Sequence, residues 1–146
     1  MRPREFLPEE QHKRVTRAIE EAERLTSGEI CVHIESDCPA GDPVERAIEH
    51  FNRHELWRTM QRNAVLIYIA TNSRVLAIIG DTGINNRVPS GFWDDIRAEL
   101  IARVAAGEQA DGLCAAIHSI GQRLAAYFPP MANDINELSN EVIYED

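Results

Sequence analysis

The residues with the most evident capacity for chemistry are carboxylates near Gly80-Asp81-Thr82-Gly83-Ile84-Asn85, a turn-like stretch that follows the apolar run "RVLAII" without a spacer. Glycine permits close approach and unusual backbone angles, so a Gly-Asp-x-Gly turn can hold a carboxylate at a strand end with backbone N–H groups beside it. Asp94 and Asp95 follow in "GFWDDI", and Glu29 stands at the head of "EICVHIE". If these segments meet, Asp81, Glu29, Asp94 and Asp95 supply hard oxygen donors of the kind that hold Ca²⁺ or Mg²⁺ rather than zinc. The competing expectation is plainer: Asp81 caps its own turn, Glu29 is solvated, and Asp94 and Asp95 complement a helix dipole. A weaker cation candidate is the loop "ESDCPAGDP", with Glu35, Asp37 and Asp42, whose spacing is not that of an EF-hand.

Cys31, His33 and Cys38 could be drawn as a soft-metal cluster, but ordinary packing is the stronger expectation, because Cys38 falls well into a loop. His12, His50, His54 and His118 lie within helical patterns or at their ends, where solvated or core-edge roles are the default. No GxSxG elbow, P-loop, GxGxxG or HExxH motif is present, and no Ser, Cys or Thr sits in the context of an activated nucleophile.

The elements that must position these groups follow from hydrophobic periodicity. Val15, Ala18, Ile19, Ala22 and Leu25 recur at helical spacing after Pro8, and "EICVHIE" then alternates as a strand. Pro39, Gly41 and Pro43 mark a loop before a second helix, with Asp42 as its N-cap. "NAVLIYIA" is apolar throughout, as a strand covered on both faces should be, and "TNSR" turns it into "VLAII". That short turn demands an antiparallel hairpin, whereas the helical crossover between the first two strands favours parallel pairing, so the sheet is mixed. Two helices follow, one carrying Phe92, Trp93, Ile96, Leu100 and Val104 up to Gly107, the other running from Leu113 to Tyr127 and stopped by Pro129-Pro130. The order α-β-α-β-β-α-α predicts an α/β sandwich around a small mixed sheet, which places Asp81 beside Ser27, Gly28, Glu29 and Asn63.

With 146 residues, 44% hydrophobic and 27% charged, the chain suits one domain over 1–130, followed by an acidic tail over 131–146. That tail contains Asp134, Glu137, Glu141, Glu145 and Asp146 and no Lys or Arg. Its "EVIYE" could add an edge strand or remain an extended arm, and its apolar residues Ile135, Leu138, Val142 and Ile143 could pack on the domain or dock a protein partner. A net charge of −9 disfavours nonspecific nucleic-acid and anionic-membrane binding. No apolar segment is long enough for a membrane span, and three cysteines without CxxC spacing suit reduced thiols, so a cytoplasmic location is expected.

The ordered blocks "TSGEICVHIE", "RNAVLIYIA", "IIGDTGINNRVPSGFWDDI", "GLCAAIHSIGQRLAAYFP" and "NELSNEV" resemble the TPM domain family in its stand-alone bacterial form. The resemblance implies an α/β/α sandwich and either divalent-cation binding or phosphatase activity, the latter pictured as a Ca²⁺- or Mg²⁺-assisted phosphomonoesterase reaction at Asp81. Many family members carry Asp directly after the Pro that follows the Gly-rich loop, where this chain has Ser90. A non-enzymatic interaction module using the tail or the sheet ends is the competing function.

Overall fold

A computed structural model describes residues 2–39, 41–131 and 137–145. Asp134, Ile135 and Asp146 of the tail lie outside the described residues. The elements are α1 (Pro3–Phe6), α2 (Glu9–Glu23), β1 (Glu29–Glu35), α3 (Pro43–Arg53), β2 (Ala64–Ala70), β3 (Val75–Gly80), α4 (Thr82–Asn85), α5 (Asp94–Ala105), α6 (Gln109–Tyr127) and β4 (Ile143–Glu145). The strands form one mixed sheet in the order β3-β2-β1-β4. As expected, β1 and β2 run parallel and β2 and β3 antiparallel, while "EVIYE" supplies the edge strand β4, parallel to β1.

Alternation along the strands divides the core into two unequal layers. Ile30, Val32, Ile34, Val65, Ile67, Ile69, Leu76 and Ile78 face one side, against buried residues such as Val15 and Ile19 of α2, Ile96 and Leu100 of α5, and Leu113, Ile117 and Ile120 of α6. The other side holds Cys31, Ala64, Leu66, Tyr68, Ala70 and Ala77, and α3 covers it with Ala47 and Phe51. Branched apolar chains thus fill the thick layer, and the thin layer combines small residues with Leu66 and Tyr68 beneath a single helix. Every residue of β1 is buried, including the polar Glu29, His33 and Glu35 that alternate onto the α3 side. Polar groups at that depth must find partners within the protein or lose several kcal/mol of order. Their partners define the site described below.

Local signals act as the residue types require. Asp42 caps α3 by accepting from the N–H groups of Val44 (3.0 Å) and Glu45 (3.3 Å), and Gly107 ends the segment after α5 with φ +80°. The Gly-Asp-x-Gly stretch is a short helix rather than an open turn, and Asp81 is its N-cap, accepting from Thr82 N at 2.7 Å. Gly83 is required by close approach: a Cβ there would lie 2.1 Å from the carbonyl oxygen of Gln61 and 2.6 Å from that of Arg62. Gly83→Ala is therefore expected to destabilise the fold by about 1–3 kcal/mol through overpacking against backbone that cannot easily yield. Urea denaturation checks it, and an unchanged midpoint would show that the Arg62 segment moves freely.

Of the tail, the described part packs on the domain. Val142 is buried, Leu138 lies against the thin layer, and Tyr144 packs toward the thick one. Among the described residues, no helix is long and apolar enough to cross a membrane.

Candidate metal centre

The topology brings Glu29 and Asp81 to one end of the sheet: Glu29 pairs with Ala64, and the Asp81 N–H bonds to the Ala64 carbonyl at 2.9 Å. Each acid nevertheless has its own protein partner. Arg62 donates to both oxygens of Asp81 at 2.8 and 2.9 Å, Glu29 accepts from the backbone N–H of Glu137, and Arg123 pairs with Asp95. Burial pushes the Glu29 carboxyl above its ordinary range, against the lowering effect of the Glu137 N–H. Asp94 and Asp95 occupy the first turn of α5, as predicted.

A different set of donors converges on the α3 side of β1. His33 projects from the middle of β1, His50 from the last turn of α3, His54 caps that helix, and Glu145 reaches across from β4. One ligand atom from each of these four side chains lies within 4.8 Å of all the others. The Glu145 Oε1 is 3.1 Å from Nε2 of His54 and 3.7 Å from Nε2 of His33. A tetrahedral ion with bonds of about 2.0–2.1 Å sets its ligands about 3.3–3.4 Å apart, so modest side-chain rotations would close the set. The His33 and His50 rings stack with centroids 3.9 Å apart, and His33 is 1% exposed while His50 is fully buried. His50 thus differs from the core-edge role expected for it.

A carboxylate network supports the cluster from beneath. Glu35, two residues from His33 on the same strand face, accepts from Arg46 at 3.0 and 2.6 Å and from the Tyr68 hydroxyl at 2.5 Å. Its Oε2 lies 3.2 Å from Nε2 of His50, outside hydrogen-bond alignment, so that nitrogen and Nε2 of His33 are both buried without a hydrogen-bond partner. The His33 nitrogen is one that an ion could satisfy, while that of His50 faces the Glu35 carboxylate.

The protonation states suit a cation. Burial, reinforced by His50, pushes the His33 imidazole down to about 3, so its lone pair is free at neutral pH. His50 is lowered by burial, opposed by the nearby Glu35 carboxylate. Burial alone would raise Glu145, but His33, Arg53 and His54 outweigh it and hold the carboxyl below its ordinary value. For Glu35 burial is likewise overcome, by hydrogen bonds from Arg46 and Tyr68 and by the nearby His50 ring, and its value falls to about 2. Neutral imidazoles and ionised carboxylates are the forms that bind metal.

Three nitrogens and one carboxylate form a borderline-soft donor set, suited to zinc-class ions more than to Ca²⁺ or Mg²⁺. The sequence carried one usable signal for it, the i,i+4 spacing of His50 and His54 on one helix face. His33 and Glu145 join them only through the sheet order.

The sequence profile of the TPM domain matches residues 1–123. The chain belongs to the TPM domain family. The three histidines of the cluster fall within the matched span of the TPM domain and Glu145 beyond it. The chain is 38% identical to the BA42 protein of the psychrophilic bacterium Bizionia argentinensis, whose NMR structure superposes with a TM-score of 0.87 over 94% of each chain. The N-terminal domain of the cg2496 protein from Corynebacterium glutamicum shares the fold at 13% identity, with a TM-score of 0.63 over 95% of this chain and 81% of that one. No curated protein matches the sequence.

Proposed function

We propose that this TPM protein binds a divalent transition-metal ion, of which zinc is the representative, through His33, His50, His54 and Glu145. The observation that carries this reading is the approach of four ligand atoms to within 4.8 Å of one another, with the buried His33 contributing an unpartnered Nε2. Glu35 serves as the outer carboxylate that orients His50, an arrangement common behind metal-binding imidazoles.

Four protein ligands complete a tetrahedron, and closed sites of this type bind ions structurally more often than they hydrolyse substrates. Metal-assisted phosphomonoester hydrolysis, the activity implied by family resemblance, would need one ligand to yield its place; Glu145, on a three-residue edge strand, is the one most easily exchanged. Ca²⁺ or Mg²⁺ at Asp81, Glu29, Asp94 and Asp95 is the other seat, and there an ion must displace Arg62 from Asp81 and Arg123 from Asp95.

The test is an amide NMR titration of chelator-treated protein with Zn²⁺, Ca²⁺ and Mg²⁺ in separate samples. Zinc is expected to move signals of residues 31–35, 50–54 and 143–145 with saturable affinity. Movement confined to residues around Asp81, Glu29 and Asp94, produced by Ca²⁺ or Mg²⁺ and not by zinc, would transfer the site to the strand end.

A further inference from the structure

The cluster already contains a cation of its own. The Arg53 guanidinium, one turn beyond His50, donates from Nη2 to Nδ1 of His50 at 2.7 Å and to Oε2 of Glu145 at 2.8 Å. One NH₂ group therefore bridges two of the four candidate ligands, which lie on different elements. Because guanidinium only donates, Nδ1 of His50 must accept, and the His50 proton resides on Nε2, toward Glu35. The His50 lone pair and the Glu145 charge are thus both directed at Arg53.

We infer that Arg53 is a built-in competitor for the metal: it neutralises the cluster in the metal-free protein and is displaced when the ion binds. This rests on the reading of the cluster as a metal site. Two features make the exchange feasible. The Arg53 side chain is 53% exposed, so it can swing into solvent, where its charge is well hydrated. The buried Nε2 of His33 has no hydrogen-bond partner, so an ion can engage it before the guanidinium leaves. Displacement costs the protein two charge-assisted contacts, which lowers apparent metal affinity and raises the free-ion concentration at which the site fills. Arg53 also ties β4 to α3 without metal, so the sheet edge is secured in both states, by a different cation in each.

The experiment compares zinc affinity, by calorimetric competition against a chelator, for wild type, Arg53→Gln and Arg58→Gln, with the Arg53 Nε–Hε NMR signal followed in wild type. Arg58 is a control of equal charge, exposed and paired with Glu55 rather than with any of the four candidate ligands. Displacement predicts that Arg53→Gln binds zinc at least tenfold more tightly, that Arg58→Gln stays within about twofold of wild type, and that the Arg53 signal reaches a solvent-like position at zinc saturation. If wild type binds zinc at the cluster but Arg53→Gln binds equally or more weakly, or if the Arg53 signal does not move, the competitor role is overturned and the metal site stands. An equal gain in both variants reduces the effect to general charge and also overturns it. If neither wild type nor Arg53→Gln binds zinc at the cluster, the metal reading itself fails and the competitor role with it.

Discussion

Glu35→Ala is expected to destabilise the protein by about 3–5 kcal/mol, a large share of a typical domain's stability. The carboxylate is almost fully buried and compensates three groups at once: the Arg46 guanidinium, the Tyr68 hydroxyl and the edge of His50. Removing it leaves the buried Tyr68 phenol without its acceptor and the Arg46 guanidinium with Glu49 as its remaining carboxylate partner, and that stranded desolvation is the main cost. The same network makes stability depend on pH with a determined sign. Glu35 is held at about 2, below its unfolded value, so its contribution is present above pH ~4.3 and is lost as pH falls toward 2. His33 is pushed down to about 3, and His50 is also lowered, so between that region and pH ~6.5 the unfolded chain binds more protons than the folded one. Stability therefore falls as pH drops below ~6.5, by up to about 1.4 kcal/mol per pH unit for each histidine that stays neutral. Urea unfolding at a series of pH values measures this directly. A flat profile between pH 6.5 and 4.5 would mean that His33 and His50 are protonated in the folded state.

Zinc at one hundred times its dissociation constant should stabilise the protein by about 2.7 kcal/mol, which for a chain of this size raises the melting temperature by about 5–10 °C. Chelator should reverse the shift. Glu145→Gln should abolish most of it, because a neutral amide is a poor zinc ligand, while the metal-free melting temperature changes much less: Glu145 is partly exposed and its pairs with Arg53 and His54 are near the surface. A full zinc-induced shift in Glu145→Gln would remove that residue from the ligand set.

The fold was largely legible because its signals are local. The apolar run of β2, the short turn after it, Asp42 before α3 and Gly107 after α5 each specify geometry within a few residues. The end of the sheet at which Asp81 and Glu29 meet followed from the hairpin and the crossover alone. What strand directions cannot convey is how acids are neutralised: Arg62 precedes β2 and reaches Asp81 across the strand end, and Arg123 comes from α6 to Asp95. The His/Glu cluster was illegible for a related reason. His33 reads as one polar residue in an alternating strand, and its burial beside His50 depends on side chains of α3, which packs over β2 and β3, reaching across to β1. Glu145 enters only because β4 adds to β1 rather than to β3. Acidic residues in a glycine-rich turn announce themselves, whereas histidines dispersed over a strand, a helix and a distant edge do not.

The placement of β4 also bears on the order in which the molecule assembles. β2 and β3 are joined by a tight hairpin and β1 reaches β2 through one helix, but His33 pairs with Ile143, across most of the chain. Closing so long a loop for three residues of ladder carries a high entropic cost and little early reward, so this contact belongs to the last stage of folding. The four-ligand cluster consequently comes into being after the core, and an ion held there can neither nucleate folding nor rescue a chain that has yet to collapse. Its leverage is kinetic in one direction only: interactions missing from the transition state slow unfolding and leave the folding rate alone. Occupancy of the cluster thus governs how long the finished protein lasts, and leaves how quickly it forms to the hairpin and the helices.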